Sequence, residues 1–254
     1  MNELEEYFNN NPGRQIFKWH HYFEIYDRHF QRFKGKEIVV VEVGVFQGGS
    51  LQMWRNYFGP KAKIYGIDIN PRVAELKEEG IEIIIGSQSD KDFLRKLKNE
   101  LPAIDILIDD GGHKMKQQIF TFEELFNKIK PNGVYVCEDL ATSYKLGYGG
   151  GHKRRGSFIE FSKNLIDRLN AFHSEQKLFQ PDSLTKSMDS LHYYDNVLVI
   201  EKKPRLIASV ASKTGKPVFE NDELNSSKSL ALTLLYFINK ILQFLRLRSF
   251  KLNR

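Results

Sequence analysis

The sequence predicts a doubly wound α/β fold: a mostly parallel sheet that ends in an antiparallel hairpin. Three observations carry that reading. From Glu37 onward, short β-branched runs alternate with helix patterns through short connections, the signature of a parallel sheet covered by helices on both faces. Two of those runs, residues 104–108 and 133–137, each stop at a pair of acids, Asp109-Asp110 and Glu138-Asp139. Residues 191–194 and 197–200 then flank a turn at Asp195-Asn196, as in a hairpin.

Taken in order, residues 1–36 read as helical, with apolar positions 19, 22, 23, 26, 30 and 33 on one face. This segment is expected either to pack its aromatics on the main domain or to form a lid or dimer contact, with His20, His21 or His29 reaching a substrate. Residues 38–43 form the first strand, followed by Gly44-Val45-Phe46-Gln47-Gly48-Gly49-Ser50 and a helix holding Leu51, Met53, Trp54 and Phe58. The second strand, residues 63–67, ends at Asp68, and Pro71 is well placed to start a helix. Residues 81–85 form a third strand ending at Gly86-Ser87-Gln88; Ser89 or Asp90 caps a helix that Pro102 closes. The fourth and fifth strands are joined by a helix expected over residues 114–130. Residues 145–156 mix five glycines with Lys145, His152, Lys153, Arg154 and Arg155, a mobile loop that reads as a solvated linker or as a basic lid. A helix is expected over 158–172. The main domain therefore spans residues 37–203, with 204–227 as linker and 228–254 as a basic amphipathic helix.

The net charge of +6 is confined to that tail. No acid follows Glu223, while Lys228, Lys240, Arg246, Arg248, Lys251 and Arg254 supply six positive charges, which equals the whole excess. Residues 1–225 are formally neutral, and a nucleic-acid footprint on the main domain is not indicated. The tail is too interrupted to span a bilayer; a peripheral contact with anionic lipid and a subunit contact in a homo-oligomer are both open. The single cysteine, Cys137, lies inside a strand pattern, and the acidic start is no signal peptide, so a reduced cytoplasmic protein, peripheral at most at the inner membrane face, is expected.

In an open parallel sheet, ligands bind outside the carboxyl ends of the strands. If the fourth and fifth strands are neighbours, Asp110, Glu138, Asp139 and His113 converge there. Acids that close repel unless a cation sits among them, and hard oxygen ligands suit Mg²⁺, Mn²⁺ or Ca²⁺. The Gly44-x-x-x-Gly48-Gly49 turn is not the dinucleotide fingerprint. Paired with Asp68, which can accept both ribose hydroxyls, with Glu42, which suits an amine, and with Ser87 at an adenine edge, it describes an adenosine cofactor lacking a pyrophosphate. S-adenosylmethionine fits that description better than NAD. Asp109 is assigned to capping or to the cofactor.

These residues resemble a known family. Residues 41–50, 66–70, 108–113, 138–144 and 191–202 are similar to the metal-dependent sugar O-methyltransferases of antibiotic biosynthesis, the macrocin and mycinamicin type, within the Rossmann-like class I S-adenosylmethionine-dependent methyltransferases. The resemblance covers about residues 15–203, not the tail. It implies that Asp110, Glu138 and Asp139 hold Mg²⁺ (or Mn²⁺), that His113 is the general base, and that Glu42, Gly44 and Asp68 bind cofactor. The acceptor would be a glycoside or glycan hydroxyl, acidified and oriented by the ion. The other functions open to this chain are a non-catalytic membrane scaffold with a methyltransferase-like fold and an NAD(P)-dependent oxidoreductase.

Overall fold

The computed structural model describes residues 1–212, 214–216, 230–245, 247 and 250. It divides into two compact units, Met1–Ser209 and Val210–Arg254.

The first unit is built on a seven-stranded sheet. β1 (Val39–Val43), β2 (Lys63–Asp68), β3 (Ile81–Ile85), β4 (Ile104–Asp109) and β5 (Ile129–Cys137) are parallel, and β6 (Met188–Tyr194) and β7 (Val197–Lys202) close it in the order β3-β2-β1-β4-β5-β7-β6. β7 pairs antiparallel with both β5 and β6. Strand side chains alternate between faces, and both faces are covered, so the strands read as unbroken apolar runs. Val40, Ile106, Ile108, Val134 and Val136 join one buried cluster; Val41, Val43, Leu107, Tyr135 and Cys137 join the other. The first face carries α1 (Glu3–Asn9), α2 (Tyr22–Phe30) and α3 (Gly49–Phe58); the second carries α4 (Lys91–Glu100), α5 (Met115–Leu125) and α6 (Phe158–Asn170). The helices after β1 and β4 thus leave on opposite faces, which opens a crevice between the ends of those two strands.

Local chemistry sets the boundaries. The Asp90 side chain accepts from the amides of Asp92 and Phe93 to start α4, and Ser157 caps α6. Pro71 starts only a 3₁₀ segment, Pro71–Leu76, capped by Asn70, because few residues connect β2 to β3. The helix expected over 114–130 ends as a 3₁₀ turn at Phe126–Lys128, and β5 begins at once. The N-terminal region is not one helix: Pro12 and Gly13 break it, and an extended stretch separates α1 from α2. Trp19 therefore lies off the expected helix face. Residues 145–156 form no open lid. Gly151 donates to the Ser143 carbonyl at 2.7 Å and a 3₁₀ turn covers Leu146–Tyr148.

In the second unit, α7 (Leu230–Phe244) carries the apolar tail pattern. Positions 213, 217–229, 246, 248, 249 and 251–254 of the expected linker and tail helix lie outside the described residues. Among the described residues no helix is long and apolar enough to cross a membrane.

Candidate active site

A cavity of about 390 Å³ opens at the crevice between β1 and β4, within the range of roughly 300–1,000 Å³ for small-molecule sites. The turn after β1 forms one wall. Gly44 has φ +98°, and a Cβ there would lie 2.0 Å from the Asp110 carbonyl oxygen, so only glycine lets this turn approach the end of β4. Asp68 holds the turn by accepting from the amides of Val45 at 2.8 Å and Phe46 at 3.3 Å, and it lines the cavity with Ile69 and Ser87.

The opposite wall carries the acids. Asp110, His113 and Asp139 offer ligand atoms that all lie within 4.8 Å of one another. His113 Nε2 is 3.4 Å from Asp139 Oδ2 and 4.0 Å from Asp110 Oδ1, while its Nδ1 is buried without a partner, so Nε2 is the nitrogen that meets the site. Both His113 (φ +52°) and Asp139 (φ +56°) adopt the left-handed conformation, which is uncommon for residues with a side chain. Asp139 Oδ1 is fixed by three donors: Trp19 Nε1 (3.1 Å), Tyr22 Oη (3.1 Å) and Asn196 Nδ2 (2.9 Å).

Glu138 faces a different way. It accepts from the Tyr26 hydroxyl at 2.6 Å and from Lys18 Nζ at 3.0 and 3.1 Å. Lys18, on the extended stretch before α2, also donates to Asp110 Oδ2 at 2.6 Å and Glu42 Oε1 at 3.3 Å. Burial works against its charge, but Asp110 and Glu138 outweigh that and hold the ammonium protonated well above the usual lysine range. The cation that the clustered acids require is thus in part the protein's own.

Three expected cofactor contacts do not line the cavity. Glu42 is fully buried behind Lys18, and its other oxygen accepts from Ser50 Oγ and Trp54 Nε1; its expected amine partner is this lysine. Gly48 turns away, toward Leu76 and Arg14. Asp109 is buried against Gln88, and burial raises its carboxyl to about 7. Of the cofactor set, Gly44, Asp68 and Ser87 remain on the surface of the cavity; so do all four members of the acid and histidine set, Asp110, His113, Glu138 and Asp139. None of residues 145–156 lines it. Sequence reasoning missed Lys18, Trp19, Tyr22, Tyr26 and Asn196. For Asn196 a signal existed, since it sits in the hairpin turn adjoining β5.

Residues 41–140 match the family model described as a methyltransferase domain. The 8-demethyl-8-(2-methoxy-α-L-rhamnosyl)-tetracenomycin-C 3′-O-methyltransferase of Streptomyces olivaceus is 37% identical over 72% of this chain and 50% of its own length. The mycinamicin VI 2″-O-methyltransferase of Micromonospora griseorubida is 35% identical over 70% of this chain and 47% of its own. The solved MycE methyltransferase of the mycinamycin pathway, in complex with Mg, SAH and mycinamycin VI, superposes with a TM-score of 0.73 at 31% identity, over 80% of this chain and 54% of that one. The chain spans about half the length of the curated relatives it matches. Its mixed sheet is the Rossmann-like methyltransferase fold of MycE. None of these relatives is a scaffold or a nicotinamide enzyme.

Proposed function

We propose that this chain is a metal-dependent O-methyltransferase that moves a methyl group from S-adenosylmethionine to a sugar hydroxyl of a glycoside or glycan. One observation carries the reading: the Asp110, His113 and Asp139 cluster faces the same cavity as the Gly44 turn and Asp68. Carboxylates are hard oxygen donors that suit Mg²⁺ or Mn²⁺, and the relatives that match include O-methyltransferases named for a rhamnosyl tetracenomycin and for mycinamicin VI.

The residues divide the work. Asp110 and Asp139 would hold the ion, which when bound would lower the pKa of a coordinated hydroxyl. His113 Nε2 takes the proton as the hydroxyl attacks the methyl carbon in line with the departing sulfur. Asp68 and Ser87 orient the adenosine end, and Gly44 keeps the turn close enough for the methyl group to reach the acids. Trp19 and Tyr22 fix Asp139 through hydrogen bonds and cover it from the solvent side. Calorimetric titration of S-adenosylmethionine, and separately NAD, into EDTA-treated protein with and without Mg²⁺ tests the cofactor. Methyl transfer to rhamnosylated polyketides, abolished by EDTA and restored by Mg²⁺, tests the reaction. A response to NAD alone overturns the reading.

The tail supports a second, separable proposal: a peripheral contact between residues 228–254 and anionic lipid at the inner membrane face. Six basic residues and no acid accompany the apolar positions of α7. Sedimentation with phosphatidylglycerol vesicles, but not with phosphatidylcholine vesicles, is the expected result. A salt-independent dimer without vesicle binding would assign the tail to a homo-oligomer instead.

A further inference from the structure

Strand periodicity puts Ser190, His192 and Tyr194 of β6 on one face of the edge hairpin, with Glu201 of β7 directly opposite Ser190. α2 lies over that face. Its buried His29 uses both ring nitrogens there: Nδ1 is 2.6 Å from Glu201 Oε1, and Nε2 is 2.9 Å from the Tyr194 hydroxyl. The His192 ring stands edge-on to His29 with centroids 4.9 Å apart, and its Nε2 meets Ser190 Oγ at 2.9 Å. Positions 22, 26 and 29 fall on one stripe of α2. The helix that His29 pins at one end therefore presents Tyr22 to Asp139 and Tyr26 to Glu138 nearer the other.

Two imidazoles in contact accept one proton more readily than two, because like charges repel. The charged and titratable groups around them reinforce that. From α2 and the turn after it come Arg28, paired with Glu24, and Arg32, paired with Glu201; β6 adds Tyr194 and the exposed Asp189, and β7 adds Glu201. Both guanidiniums already hold a carboxylate. A proton arriving on His192 thus meets His29 and Arg28, with only Asp189 and the shared Glu201 to offset it. Burial first, then His29 and Arg28, keep the His192 ring below the usual imidazole value against the pull of Glu201 and Asp189. We propose that His29 and His192 form an acid-released latch: with His192 neutral, α2 stays docked on the β6–β7 hairpin, and a proton on His192 frees the helix and draws Tyr22 away from Asp139. Folding favours the neutral ring, so the latch is intact above roughly pH 6.5 and is lost as pH falls below that value.

The test is hydrogen exchange of the α2 amides in the full-length protein, expressed as protection factors so that the intrinsic pH dependence of exchange is removed. It needs no cofactor, metal or acceptor. Protection of α2 in wild type is expected to fall at least about threefold between about pH 7.5 and about pH 5.5. Glu201, brought down to about 2, does not titrate in that window. His192→Gln keeps a polar partner for Ser190 and gains no charge, and it is expected to lose that dependence. Protection that is independent of pH in wild type, or wild-type pH dependence in His192→Gln, overturns the proposal. If His192→Gln does not fold, wild type alone decides. The His192 Cε1–H proton resonance and the α2 exchange are then expected to share one midpoint below about pH 6.5, and distinct midpoints overturn the latch.

Discussion

Asp139 and His113 each hold a left-handed backbone at a cost of roughly 1–3 kcal/mol, and both side chains meet across 3.4 Å. That strain is retained because it aims both groups into the cavity. His113→Ala is expected to lower kcat by about a hundredfold or more, the usual worth of a placed base, with a smaller change in the KM for the glycoside; steady-state kinetics across pH checks the split, and unchanged kcat removes the base assignment. The acids and His113 were legible because each follows directly on an apolar run, and strand ends are where ligands bind. Lys18 was not. A lysine ahead of an aromatic helix reads as solvated, and nothing local records that its partners lie at the ends of three different strands.

At the scale of elements, the N-terminal stretch is held by backbone, not by a helix. A Cβ on Gly49 would lie 2.3 Å from the Arg14 carbonyl oxygen and 2.4 Å from that of Gln15, so the stretch rests directly on the start of α3. Arg14 fastens it further, with its amide to Gln52 and its guanidinium to the Leu76 carbonyl at 2.9 Å. Gly49→Ala is expected to displace Lys18 and Trp19 while leaving the sheet folded, seen as raised protease sensitivity near residue 14 and weaker S-adenosylmethionine binding. An unchanged digestion pattern would mean that the stretch tolerates the methyl group. Gly44→Ala pushes on Asp110 itself, and thermal melting is expected to show a loss of several kcal/mol, combining the clash with the positive φ. On the other side of α2, His29 Nδ1 lies 2.6 Å from Glu201 of β7, and Arg32 pairs with the same carboxylate. Burial would raise that carboxyl, but His29 and Arg32 outweigh it and bring it down to about 2. A depressed acid stabilises the fold above its ordinary value near 4.5, and that contribution is lost as pH falls from there toward 2. Acid titration of Glu201→Gln, followed by circular dichroism, should show a lower plateau and a flatter acid limb; an identical limb assigns acid sensitivity elsewhere. The strands, α3, α4 and the hairpin were readable from period and caps. The break at Pro12-Gly13 was available too, but the aromatic spacing of residues 19–33 outweighed it, and Trp19 was drawn onto a helix it does not join.

For the whole molecule, the sheet order places both acid pairs at adjacent strand ends, and the mixed β5-β7-β6 edge brings Asn196 back beside Asp139. That much followed from alternation and the hairpin signal. What did not follow was the pairing of Lys18 with Glu42, Asp110 and Glu138, because it depends on a segment that precedes the sheet and reaches over its end. Lys18 is separated from Asp110 by 92 positions and from Glu138 by 120. Contacts across such spans close the largest loops and form after local ones. While the sheet assembles, Glu42, Asp110 and Glu138 approach one another before their ammonium arrives, and mutual repulsion slows that step. Refolding from denaturant is therefore expected to speed up with added salt, and more so in Lys18→Met, where no internal charge ever comes to relieve the repulsion. The side chain that settles the finished site thus also sets a late, ionic-strength-dependent step on the route to it.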